Sequence, residues 1–176
     1  MLKKGLLVAA GLLAISQAAL ALEGPAVIDP TLPELPRASD LSSRDVGQQY
    51  ILKSEHSSEQ VIFAGYSYEG TPVAFSATDA PAVRQTFQEA VAYCLAKGPG
   101  WRLPSLNQLR IFSPVARLAD PQFLPGSYWT TTLAPCPNCK DPTQYKMAYD
   151  ISTGNVRNGF ALYFTKFYTA CTYPIP

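Results

Sequence analysis

Residues 92–109 read Ala92-Tyr93-Cys94-Leu95-Ala96-Lys97-Gly98-Pro99-Gly100-Trp101-Arg102-Leu103-Pro104-Ser105-Leu106-Asn107-Gln108-Leu109. Two helices meet in this stretch. The first is expected from about Pro81 to Lys97, with Asp79 as its cap and Pro81 in its first turn, and Gly98-Pro99 stops it. Val83, Phe87, Ala90, Val91 and Cys94 recur at three- and four-residue spacing, which makes one buried stripe ending at Cys94. The second helix starts after Pro104. Ser105 and Gln108 have capping-box spacing, Leu106 and Leu109 face inward, and Pro114 is expected to end the element.

Either side of the helices the pattern is that of strands. Val61-Ile62-Phe63 and Thr71 to Phe75 form a hairpin through Glu69-Gly70. Tyr128 to Leu133 is aromatic and Thr-rich. Tyr145, Met147, Tyr149 and Ile151 alternate with Lys146, Ala148 and Asp150, and Ser152 to Asn155 turns the chain back. Phe160 to Thr165 and Phe167 to Tyr173 supply one or two closing strands. With no alternation of strand and helix, the fold class is α+β with a small antiparallel sheet, two helices and long loops.

The amino end reads as a targeting segment. Lys3 and Lys4 precede an apolar run from Gly5 to Ala14, and Ala19-Leu20-Ala21 offers a cleavage site, so residues 1–21 are expected to be a signal peptide. Residues 22–60 are expected to be an arm or linker, because Pro25, Pro30, Pro33 and Pro36 oppose regular structure and only Tyr50-Ile51-Leu52 hints at a short element. The domain proper is then 61–176. Periplasmic or secreted localisation follows, with no stable membrane insertion after cleavage.

Removing Lys3 and Lys4 leaves twelve basic and thirteen acidic residues, a net charge near −1. A chain this neutral has no electrostatic footprint for nucleic acid or anionic lipid. His56, the single histidine, lies in a polar stretch, which argues against a multi-His metal site and a Ser-His-Asp triad. Asp141 and Asp150 are two of the few acids of the second half, and no spacing joins them as a glycosidase pair. No cofactor, metal or catalytic residue is expected. Four cysteines in an exported chain favour disulfides. Cys136-Pro137-Asn138-Cys139 lacks the helix N-terminus that a redox pair needs, so a local Cys136–Cys139 disulfide pinning a loop is the expectation.

Ala92-Tyr93-Cys94, Gly100 to Ser105, Gln108-Leu109, Tyr128 to Thr131 and Cys171 together resemble the bacterial C-type-lectin-like domain found at the carboxyl ends of collagen-like adhesins, the Lcl C-terminal family. The likeness runs from about Val61 to the end, with Ser105, Gln108 and Thr130 as conservative departures. It implies a C-type-lectin-like fold whose termini meet in one sheet, a structural role for Trp101, and a Cys94–Cys171 disulfide. The buried stripe independently points Cys94 inward. The acidic-proline and Trp-Asn-Asp motifs of calcium-dependent sugar binding are missing from the chain.

These readings combine into a non-catalytic, exported recognition module that binds a protein or glycan ligand without calcium. Its loops between the middle strands, about Leu124 to Lys146, hold the candidate ligand-binding residues Tyr128, Asn138, Lys140, Asp141, Gln144 and Tyr145. A structural subunit of an envelope assembly is the alternative. An enzyme related to the formylglycine-generating branch of the fold is a third class, and it requires reactive thiols.

Overall fold

The computed structural model describes residues 28–54, 57–79, 83–119, 123–136, 138, 140–161 and 164–176. The expected signal peptide, His56, Pro81 and Cys139 lie outside these residues. Strands β1 (Gln49–Lys53), β2 (Ser58–Tyr66) and β3 (Pro72–Ser76) come first, then helices α1 (Phe87–Ala96) and α2 (Leu106–Ala119). Strands β4 (Ser127–Leu133), β5 (Tyr145–Asp150), β6 (Val156–Ala161) and β7 (Thr172–Pro174) complete the order. One antiparallel sheet has the order β1-β2-β3-β7 and the other β4-β5-β6, so the fold is α+β as its pattern predicts.

The first sheet is covered on both faces. Ile62, Ala64, Val73 and Phe75 belong to the core that α2 fills with Leu109, Phe112, Val115 and Ala116. Val61, Phe63 and Ala74 belong to the other core, with Ala90, Cys94, Trp101 and Trp129. Adjacent strand residues thus enter opposite cores, which is why residues 61–65 are buried without a break. In β4, Tyr128 and Trp129 divide in the same way.

Several expectations are corrected. Helix α1 begins at Phe87, not near Pro81, because Thr86 and Glu89 form the capping box: the Thr86 hydroxyl accepts from the Glu89 amide and the Glu89 carboxylate accepts from the Thr86 amide. Val83 precedes the helix and is 68% exposed. Asp79 caps nothing. Pro114 sits inside α2 instead of ending it. Its missing N–H would have met the Arg110 carbonyl, and both residues face solvent, so water can satisfy that carbonyl while the opposite face packs. The Ser105–Gln108 box forms as expected, with Gln108 Oε1 accepting from the Ser105 amide at 2.8 Å and Ser105 Oγ accepting from the Gln108 amide at 3.3 Å.

At the carboxyl end only Thr172–Pro174 is a true strand, and Phe167 and Tyr168 make single bridges to Gln85 and Tyr128. The structured chain also starts earlier than the boundary at 60/61. Strand β1 pairs along β2, and the Ile51 amide donates to Pro33 O at 2.8 Å while Leu35 N donates to Ile51 O at 2.8 Å. Residues 33–35 therefore cover the outer edge of β1. Proline is tolerated here because it is the first residue of the pairing segment, where its carbonyl accepts from β1 and the missing donor interrupts no existing ladder bond.

Candidate functional site

The carboxyl end of β4, the amino end of β5 and the carboxyl end of β6 lie together, so the 134–144 loop and the segment after β6 share one end of the second sheet. Contacts on either side brace the described part of this loop. Ala134 N donates to Tyr145 O at 2.9 Å, closing its base, and Cys136 is disulfide-bonded. Asp141 Oδ1 accepts from the Thr143 hydroxyl at 2.5 Å and the Thr143 amide at 2.9 Å, and Oδ2 accepts from Gln144 Nε2 at 3.1 Å. The Thr143 hydroxyl, then its amide and the Gln144 side chain, hold the Asp141 carboxyl below the usual carboxylate range.

Asn138, Lys140 and Gln144 are exposed on this loop, and Asp141 and Tyr145 are half-buried. Tyr128 is the exception among the predicted residues: it is fully buried, and its hydroxyl donates to Leu124 O at 3.0 Å. It belongs to the core because β4 is packed on both faces, which alternation alone does not reveal. Two residues at this end were not singled out by pattern. Leu133 is 48% exposed and Phe164 is 88% exposed, which adds apolar surface beside the polar loop. Lys146 Nζ stands 5.5 Å over the Phe87 ring and ties this end of the sheet to α1.

A second constellation lies beside the Cys94–Cys171 disulfide, whose S–S distance is 2.03 Å. Lys97 Nζ is 2.7 Å from Glu59 Oε1 and 3.0 Å from Asp79 Oδ1, and it donates to Ser76 Oγ at 3.1 Å. Asp79 also accepts from the Cys171 amide at 2.5 Å and the Tyr93 hydroxyl at 3.2 Å. Glu59 further accepts from the Ser76 and Thr78 hydroxyls. The ammonium lies 5.3 Å from the Tyr93 ring centroid and 5.6 Å from that of Trp101. One cation thus joins β2, β3, α1 and the chain leading into β7.

Burial alone would lower the Lys97 pKa, but the charges of Asp79 and Glu59 and the Glu59 hydrogen bond outweigh it and hold it above the ordinary lysine value. Burial raises Asp79, against the pull of Lys97 and the Cys171 amide. Burial also opposes ionised Glu59, but its hydrogen bonds from Lys97, Ser76 and Thr78 keep it low. Tyr93 is pushed up to about 12, first by burial and then by the Asp79 charge. The Tyr128 hydroxyl is raised by burial as well.

Lys97, Tyr93 and Tyr128 all hold their protons more tightly folded than unfolded. Their stabilisation is complete below about pH 10 and is lost as the pH rises through the folded values. Urea-unfolding midpoints should therefore fall steeply between about pH 10 and 12, and Tyr93→Phe should make that limb shallower. An unchanged slope in the variant would remove Tyr93 from the account. The sequence carried little signal for this cluster, because Glu59, Asp79 and Lys97 come from three elements with no fixed spacing.

No family model matches the chain, and no curated protein matches it. Botrocetin, a C-type-lectin-like snake protein, is a solved structure similar to this chain at 16% identity and a TM-score of 0.40, covering 62% of this chain and 95% of that one. The α+β architecture rests on the chain's own topology. Its first and last strands share a sheet, a disulfide ties α1 to the approach of the last strand, and the second sheet carries the long loop.

Proposed function

We propose that the chain is an exported, non-catalytic recognition module of the bacterial Lcl C-terminal kind, and that it binds a protein or glycan at the 134–144 loop end without calcium. The observation that carries this reading is the loop itself. Exposed Asn138, Lys140 and Gln144 lie between Cys136, which is disulfide-bonded, and the Asp141 turn, at the sheet end that also carries exposed Leu133 and Phe164. Irregular backbone held in one shape loses little further entropy on binding. The shared motifs support the family reading, since Trp101 and Trp129 are core residues and Ser105 opens α2.

Oxidising surroundings, periplasmic or extracellular, fit the Cys94–Cys171 bond. The same oxidation disfavours the formylglycine-generating reading, which requires reactive thiols. The docked 33–35 segment favours a second reading in one respect: a chain whose amino-terminal stretch already adds to a sheet edge suits a structural subunit of an envelope assembly.

Pull-down from envelope or host extracts with the purified protein, followed by affinity measurement on the partner recovered, tests the proposal. Lys140→Ala and Phe164→Ala should each weaken binding about tenfold while leaving the melting curve nearly intact. Chelator should change neither affinity nor melting temperature. Binding that survives both substitutions, or that disappears in chelator, would overturn the proposal.

A further inference from the structure

The other end of the second sheet carries a cleft of about 110 Å³. Ser127 lies opposite Asp150, and Arg157 lies opposite Ala148, two residues before Asp150, so the three side chains leave the sheet on the same face. Along the outer edge of β4, Tyr168 N donates to Ser127 O at 3.0 Å and Trp129 N donates to Tyr168 O at 3.1 Å. Gln85 pairs in turn with Phe167. Five neighbouring segments therefore line the cleft in order with Arg157, Asp150, Ser127, Phe167 and Arg84.

The charges in this row alternate. Arg84 and Arg157 are exposed, and neither has a carboxylate partner among the described residues. Arg84 is held in place by its guanidinium carbon, 5.1 Å from the centroid of the Tyr168 ring. Gly126 permits this packing, since its φ is 142° and an added Cβ would come to 3.0 Å from that ring. Asp150 is 7% exposed. Its Oδ1 accepts from the Ser152 amide, the Ser152 hydroxyl and the Thr153 amide, and the carboxylate lines the cleft. The site thus presents cation, anion, cation in sequence, with a hydroxyl at Ser127 and an apolar wall at Phe167.

We propose that this cleft binds a free acidic α-amino acid. Its two carboxylates would meet Arg84 and Arg157, and its ammonium would meet the Asp150 carboxylate and Ser127. The ligand's negative, positive, negative pattern complements the row, and its net charge of −1 opposes a site of net +1. A doubly charged inorganic anion would place its charge against Asp150. A neutral amino acid would leave one arginine without a partner. The volume is well below that of a pocket for a drug-sized ligand, which favours a molecule of few atoms. This proposal does not rest on the loop end of the sheet.

Titration of the ¹⁵N-labelled protein with L-glutamate, followed by NMR, should give saturable shifts at the Ser127, Asp150 and Arg157 amides. L-Glutamine and glutarate should bind at least about tenfold more weakly, and sulfate should not saturate. Arg84→Gln and Arg157→Gln should each weaken glutamate binding about tenfold without moving the melting temperature, as both side chains are exposed. Asp150→Asn keeps an acceptor for the Ser152 and Thr153 amides. It should weaken glutamate binding and strengthen glutarate binding. Lys140→Ala should change nothing at this site. Absence of saturable shifts with glutamate, equal binding of glutarate or sulfate, or arginine variants that bind as the parent does would overturn the proposal.

Discussion

Replacing Cys94 and Cys171 together by alanine is expected to lower unfolding stability by about 4.5 kcal/mol in the chain-entropy account. The bond spans 77 residues of sequence, so in the unfolded chain it closes a long loop and removes much of that chain's freedom. Both cysteines are fully buried, and the substitution also leaves space beside Ala90 and Trp101. Against a total of 5–15 kcal/mol for a typical domain, this is a large share. Urea unfolding of the double variant, compared with the oxidised parent, provides the measurement. A loss of less than about 1 kcal/mol would show that the unfolded chain is already compact around this pair.

Lys97→Met is expected to be nearly as damaging, at about 3–5 kcal/mol, because it leaves two carboxylates facing each other without their cation. Asp79 is 1% exposed and cannot turn to water. With Lys97 gone, burial would drive the Asp79 carboxyl further up. A carboxyl whose folded pKa lies above its unfolded one is favoured by acid, so the deficit should shrink as the pH falls toward 4. Asp79→Asn added to Lys97→Met should recover part of the loss at neutral pH, since the amide oxygen still accepts from the Cys171 amide. A single Lys97→Met variant as stable as the parent would mean that water already screens the cluster.

Local signals were legible wherever one element decides the outcome. The Ser105–Gln108 box opened α2, the β2–β3 hairpin turned through Gly70 with φ of 80°, and the β4 and β5 strands fell where aromatic and alternating residues placed them. Thr86-x-x-Glu89 was an equally clear capping box, overshadowed by Asp79 and Pro81 upstream. What stayed hidden depends on contacts between distant segments. Tyr128 resembles a loop aromatic until β4 is seen between two cores. Proline at position 33 reads as a linker until β1 offers it an edge. The row of Arg84, Asp150 and Arg157 exists only because three strands and two bridging segments align.

The separation of the two cores gives the protein an unequal optical make-up. Both of its tryptophans, Trp101 and Trp129, lie in the core shared with α1, whereas the core under α2 is lined by phenylalanine and tyrosine. Tryptophan emission therefore watches one half of the molecule and is blind to the other. If the halves come apart at different denaturant concentrations, fluorescence and far-UV circular dichroism will trace different curves, and neither midpoint alone will describe the whole chain.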